Sequence, residues 1–179
     1  MMQQRGDGMA TGLAQRIVGL HPIVLTTVVV AVALAQLVIL GSNVSALARG
    51  TFMLAFLGPM CIWLWAVFHT AGRASSKVVS SFWEWVFAAS PAMAFTAGVA
   101  GWSTHNSPAA YAIFLSLFIG LAMAAKTLES ADAANGSASI GRMLVTALLM
   151  YLFPIGVWVL RPKVLRVAQR ANGATPVTD

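Results

Sequence analysis

Long apolar runs alternate with short polar segments along nearly the whole chain. Five runs, at about residues 21–40, 51–71, 79–101, 109–125 and 141–160, each approach the roughly 20 residues that an α-helix needs to cross a bilayer. Because hydrocarbon offers the backbone no hydrogen-bond partner, such runs are expected to be helical even where they are rich in valine. The pattern therefore predicts an all-α, polytopic transmembrane helical bundle of about five spans. Four spans plus a re-entrant segment are the alternative.

The polar ends of the chain frame this bundle. We expect residues 1–20 to form a cytoplasmic N-terminal segment, residues 21–161 the transmembrane helical domain and residues 162–179 a basic polar tail. Arginines before an apolar run also resemble a secretory signal, and Ala46-Leu47-Ala48 would suit its cleavage. The first apolar core exceeds the usual length of about 7 to 15 residues, so an uncleaved first span is favoured.

The composition argues against a water-soluble fold. The chain of 179 residues is 59% hydrophobic and 9% charged, with a mean hydropathy of +0.80, whereas soluble domains carry about 25% charged residues. The net charge of +6 comes from basic residues in the loops and tails, where they contact anionic headgroups and orient the protein. The predicted partner is therefore the lipid bilayer, and nucleic acid is not a predicted partner.

The distribution of basic residues predicts the orientation. The loop 102–108 has no Lys or Arg, so it should face away from the cytoplasm, while the N-terminus and the loops 72–78 and 126–142 should be inside. With five spans, six of the 11 Lys and Arg residues lie inside and five outside. If the last segment bent back at Pro154, ten would lie inside. The run 143–160 is long enough to cross, so we expect five spans in the inner membrane with a cytoplasmic N-terminus.

Four tryptophans are placed symmetrically in the second and third spans. When the chain is folded back near residue 74, the pairs before and after the loop lie at matching depths. Tryptophan favours the membrane interface because its ring is apolar while its N–H seeks a polar partner. We therefore interpret these residues as interface anchors: Trp63, Trp65, Trp83 and Trp85.

Glu84 is the acidic residue that the predicted spans contain. A charge inside a membrane costs at least about 2.5 kcal/mol on insertion scales, so it usually faces a cavity or a partner. Lys77 precedes Glu84 by two turns, and His69 should lie at the same cytoplasmic level. One hypothesis makes these three residues part of an ion, proton or substrate path. The alternative is that Glu84 lies one or two turns inside the interface and is either hydrated or paired with Lys77.

Two histidines allow a redox alternative. His21 opens the first span and His69 closes the second, and imidazoles on facing helices can ligate haem iron axially. Such ligands normally lie deeper, so haem b is not favoured as a cofactor. Cys61 is the single cysteine, which excludes a four-cysteine metal site. The chain lacks a P-loop and the HExxH, CxxC and GxSxG motifs, so no metal site, catalytic residue or enzyme class is predicted.

Prolines and small residues bear on packing. Pro59, Pro91 and Pro154 are predicted to kink three helices. Ala94 and Gly98 form a small-xxx-small pair, which lets helices approach closely within the chain or between subunits. The sequence thus predicts a small membrane protein of transport or permeation, or a subunit of a membrane assembly, that is a homo-oligomer or has other membrane subunits. A purely structural subunit is the remaining alternative.

Overall fold

The computed structural model describes residues 12–39, 45–75, 83–102, 107–133 and 138–173. In these ranges the regular secondary structure is entirely helical, which confirms the all-α part of the predicted fold class. There are seven helices in the described residues: α1 (Gly12–Gly19), α2 (Pro22–Ile39), α3 (Ala46–Ala74), α4 (Glu84–Ala100), α5 (Ala109–Asp132), α6 (Ile140–Tyr151) and α7 (Phe153–Ala171).

Two or three of these elements are long and apolar enough to span a membrane. They are α3, with a mean hydropathy of 1.9, and residues Ala110–Asp132 of α5, with 1.8. The third is the pair formed by α1 and the described part of α2, which is bent by 82°. The bend lies next to Pro22, which starts α2 at a position where a missing N–H costs no helical bond. The finer prediction of five spans is not confirmed.

Two predicted spans differ from the helices observed. The third, 79–101, lies partly outside the described residues, and α4 has 17 residues from Glu84 onward. The fifth, predicted over 141–160 as one helix, is two helices that break at Leu152, whose φ of −78° and ψ of 53° are not helical. Pro154 is the second residue of α7, where proline is tolerated. Helix α7 then continues to Ala171, so much of the predicted polar tail is helical.

Two compact units divide the chain. The first comprises Met1–Pro22, Trp63–Ser80 and Leu121–Asp179, and the second comprises Ile23–Ile62 and Ser81–Gly120. Long side chains fill the interior of the first unit, where Leu64, Leu128 and Met150 are fully buried. Burial of such side chains against one another is the main source of packing energy in a helical core.

A glycine allows a close helix contact in each unit. In the first, α6 and α7 pack against each other, and a Cβ on Gly156 would lie 1.8 Å from the carbonyl oxygen of Leu149. In the second, a Cβ on Gly98 would lie 2.7 Å from the Cα of Gly50. The small-residue position at Gly98 therefore serves a contact within the chain, between α3 and α4.

Candidate functional site

A buried carboxylate near the end of α5 is the starting point of the site. Helix α5 continues past its predicted end because its buried stripe repeats at helical spacing through Leu121, Ala125 and Leu128. Glu129 lies one turn before the helix ends and has 3% of its surface exposed. A charge so deeply buried is costly unless other groups neutralise it and hydrogen-bond to it.

Two neighbouring helices supply partners for Glu129. The Thr146 hydroxyl of α6 donates a hydrogen bond to Oε1 of Glu129. The Lys163 ammonium of α7 donates to the same oxygen, with an Nζ–Oε1 distance of 2.5 Å. Lys163 also lies 3.5 Å from Oδ2 of Asp132, one turn further along α5. One ammonium group thus faces two carboxylates, and hydrogen bonds of this charged type are among the strongest in proteins.

Helix α7 is joined to α5 at a second point. The Arg170 guanidinium donates hydrogen bonds to the carbonyl oxygens of Ala131 at 3.1 Å and Asp132 at 3.4 Å. The last carbonyls of a helix lack partners within the helix and carry its negative dipole end, so a cation there is stabilising. Lys163 and Arg170 are seven residues apart, two turns of the same helix face. The two contacts together fix the direction in which α7 runs past the end of α5.

A cavity of about 510 Å³ opens beside this charge cluster. Its lining includes Glu129, Asp132 and Lys163, together with Arg142 from α6 and Arg166 from α7. Both arginines are exposed, and neither forms an ion pair with any other residue that the structure describes. The cavity wall therefore has three cationic groups and two anionic ones, and the free positive charge lies on the two arginines.

No protein-family model, curated protein or solved structure matches this chain. The chemistry of the site therefore rests on its own geometry. In the described residues no three His, Cys, Asp or Glu side chains come together as a metal site would require.

The path residues predicted from the sequence lie elsewhere. His69 is in α3 of the first unit and stacks on Trp65, with ring centroids 5.6 Å apart and an interplanar angle of 25°. Glu84 is the first residue of α4, in the second unit, and is half-buried. At a helix N-terminus a carboxylate is favoured by the helix dipole. Lys77 lies outside the described residues, so the proposed grouping of the three stays a prediction.

The two histidines of the haem alternative lie at a helix junction and inside a helix. His21 is exposed between α1 and α2, and its ring meets Trp158 edge to face, with centroids 6.0 Å apart. His69 lies in α3, beside Trp65. Ligation of haem iron by His21 and His69 stays a prediction.

The tryptophans predicted as anchors differ in burial, and the prolines predicted as kinks differ in their position within helices. Trp63 is 3% exposed and packs edge to face on Phe153, so it belongs to the interior of the first unit. Trp83 and Trp85 are 38% and 73% exposed, Trp65 is half-buried, and the anchoring role of the four stays a prediction. Among the prolines, those at positions 59 and 91 lie inside continuous helices, and the one at position 154 begins a helix.

Glu129, Thr146 and Lys163 are not among the residues that the sequence pattern predicts for a site. The charged residue Lys126 predicts the end of a span, which puts Glu129 in a polar loop. The signal that could have found it is the apolar stripe of α5, which continues at helical spacing to Ala131. No local signal connects Glu129 with Lys163, since 34 residues separate them.

Proposed function

We propose that the protein is a small multi-pass integral membrane protein of ion transport or permeation, with protons as the first candidate. Glu129 is the group that carries the charge through the site. The single observation behind this proposal is a carboxylate with 3% exposure that is paired with Lys163 and lies in the wall of a cavity. Ionisable groups in membrane helices are costly, and they mark ion and proton pathways.

The pair supplies two states for such a path. In one, Glu129 is ionised and held by Lys163 and Thr146. In the other, Glu129 takes a proton or an ion from the cavity, its attraction to Lys163 falls, and Lys163 remains with Asp132, which lies 3.5 Å away. An unpaired ion is unfavourable in a buried environment. A change in the charge of Glu129 should therefore change which group Lys163 pairs with.

The topology that we propose has the last two helices as a re-entrant hairpin. Helix α6 is 12 residues long, about 18 Å at 1.5 Å per residue, against a hydrocarbon core of about 30 Å. The contacts of Lys163 and Arg170 with α5 support a C-terminal segment on the same side as the loop 126–142. A hydrogen bond from Gln15 to Asn172 supports the N-terminal segment on that side too.

The charge distribution favours this arrangement. With the hairpin, ten of the 11 Lys and Arg residues lie on one side and only Arg49 lies on the other. Basic residues near membrane segments mark the cytoplasmic side. The proposed protein is thus an inner-membrane protein with four spans, a hairpin, and both termini in the cytoplasm.

Proton flux into liposomes tests the role of Glu129. Purified protein is reconstituted, a potassium diffusion potential is applied, and an internal pH dye reports uptake. We expect Glu129→Gln to lower the rate at least tenfold and Glu84→Gln, the same change at the glutamate that begins α4, to leave it within twofold. Wild-type liposomes no faster than empty ones, or a folded Glu129→Gln protein with an unchanged rate, would contradict the proposal.

Cysteine labelling tests the topology. In a Cys61→Ala background, single cysteines replace Ser107, Ser139 and Gln169, and intact cells are treated with a membrane-impermeant maleimide. We expect labelling of the Ser107→Cys protein only, because residues 139 and 169 lie in the cytoplasm. Labelling of Gln169→Cys together with Ser107→Cys would instead support a fifth full span.

A further inference from the structure

Two arginines of the cavity wall, Arg142 and Arg166, form no ion pair with any residue in the described part of the chain. We propose that the cavity binds the headgroup phosphate of an anionic phospholipid, with Arg142 and Arg166 as its ligands. Lys163 faces both Glu129 and Asp132, so these three groups together carry one negative charge, and with the two arginines the cavity wall has a net charge of +1. The guanidinium groups of Arg142 and Arg166 form no ion pair with a described residue, so they are open to an anionic ligand.

The chemistry of the arginines points to phosphate. A guanidinium is planar, always charged, and presents paired N–H donors that match phosphate oxygens. Arg142 is in the first turn of α6, whose amino end has no acidic residue and no side-chain hydrogen bond from Ser139. A cation at this end opposes the helix dipole, and a bound anion would relieve that conflict.

The surroundings of the cavity point to a lipid as the source of the phosphate. Val145 lines the cavity and is 58% exposed. On the same helix, Leu144 directly precedes Val145 and Leu148 follows it by one turn, and these leucines are 61% and 59% exposed. This apolar stripe leads directly from the cationic wall, so one molecule with an anionic head and an acyl chain would cover both. Basic pockets between membrane helices on the cytoplasmic side bind such headgroups.

Lipid binding by purified protein in mild detergent tests the inference. The probes are phosphatidylglycerol, phosphatidylcholine, glycerol phosphate and inorganic phosphate, and binding is followed by native mass spectrometry and by thermal stabilisation. We expect phosphatidylglycerol to bind at least tenfold more tightly than phosphatidylcholine. The Arg142→Gln/Arg166→Gln protein should lose at least tenfold in that affinity.

A matched double variant controls for net charge. Arg16 and Lys126 are exposed basic residues outside the cavity lining, and Arg16→Gln/Lys126→Gln should change the affinity less than twofold. An equal loss of phosphatidylglycerol affinity in both double variants would mean that binding depends on net charge alone, and this would overturn the site. If glycerol phosphate or inorganic phosphate stabilises the protein as much as phosphatidylglycerol does, the proposal that the ligand is a lipid is overturned. Since Arg142 and Arg166 are exposed, their substitution should leave the fold intact, and a circular dichroism spectrum checks this.

The inference rests on the proposed membrane location but not on proton flux. Binding is measured without a gradient, so its failure leaves the role of Glu129 open to its own test. Conversely, a Glu129→Gln protein without flux should still bind phosphatidylglycerol, because the two arginines remain.

Discussion

Removal of the ammonium group of Lys163 should expose how much the fold depends on the buried pair. In Lys163→Met, the side chain keeps nearly the same length and apolar stem but loses its charge. Glu129, with 3% of its side chain exposed, is then left with the Thr146 hydroxyl as its hydrogen-bond donor in the cluster. The change therefore measures the cost of a buried carboxylate that has lost its counterion, and it creates little empty space.

The expected magnitude follows from the burial of the two partners. Breaking a buried ion pair by removing one partner costs about 3–5 kcal/mol. The Lys163 side chain is 18% exposed, and water can reach the space it leaves, so the lower end applies. We expect the free energy of unfolding to fall by about 3 kcal/mol, which is roughly a hundredfold in the unfolding equilibrium.

Reversible unfolding in mixed micelles measures this change. Sodium dodecyl sulfate is titrated into protein in mild detergent, and the fluorescence of the six tryptophans reports unfolding. Lys126→Met, an exposed lysine on the same helix as Glu129, serves as the control and should change stability by less than about 0.5 kcal/mol. The double variant Glu129→Gln/Lys163→Met removes both charges and should regain most of the loss.

Two results would refute the reasoning. If Lys163→Met destabilises no more than Lys126→Met, Glu129 does not depend on its ion pair. If the double variant is as unstable as the sum of the two single variants, the two side chains are not coupled.

Five further substitutions test the packing. Gly98→Ala should lower the free energy of unfolding by about 1–3 kcal/mol, because its methyl group would lie 2.7 Å from the backbone of α3. Unchanged unfolding in sodium dodecyl sulfate would show that α3 and α4 move apart at no cost. Gly156→Ala should cost more, since that methyl group would lie 1.8 Å from a carbonyl oxygen, whereas Gly58→Ala, with nothing within 4 Å, should be neutral or stabilising in the same titration. Trp63→Phe should lower stability by about 1–2 kcal/mol and Trp85→Phe by less than about 0.5 kcal/mol; the reverse order would place Trp85 in the interior.

Helix positions were predictable from the sequence where run length decides them. The apolar runs at 51–71 and 109–125 correspond to α3 and α5 because uninterrupted apolar residues leave few alternatives to helix. The predicted ends were too early. Lys126 is exposed and Glu129 is paired, so α5 accommodates both and continues to Asp132. A charged residue ends a span only when it has neither a partner nor access to solvent. A single sequence does not show which residues lie next to it in the fold.

The break at Leu152 and the charge cluster depend on contacts that are distant in the sequence. Pro154 fits a kinked span and a new helix equally well. What supports the second is the close approach of Gly156 to Leu149 and the pairing of Lys163 with Glu129, 34 residues away. Periodicity describes one helix at a time, so it could not predict which charges meet.

The distance along the chain between Glu129 and Lys163 has a consequence for biosynthesis. A ribosome adds about 5–20 residues per second, so the 34 residues between them take several seconds to make. During that interval the carboxylate has been synthesised and its ammonium partner has not. Helix α7, which leaves the ribosome after α5, therefore completes the site, and until then the end of α5 that carries Glu129 has to remain near water.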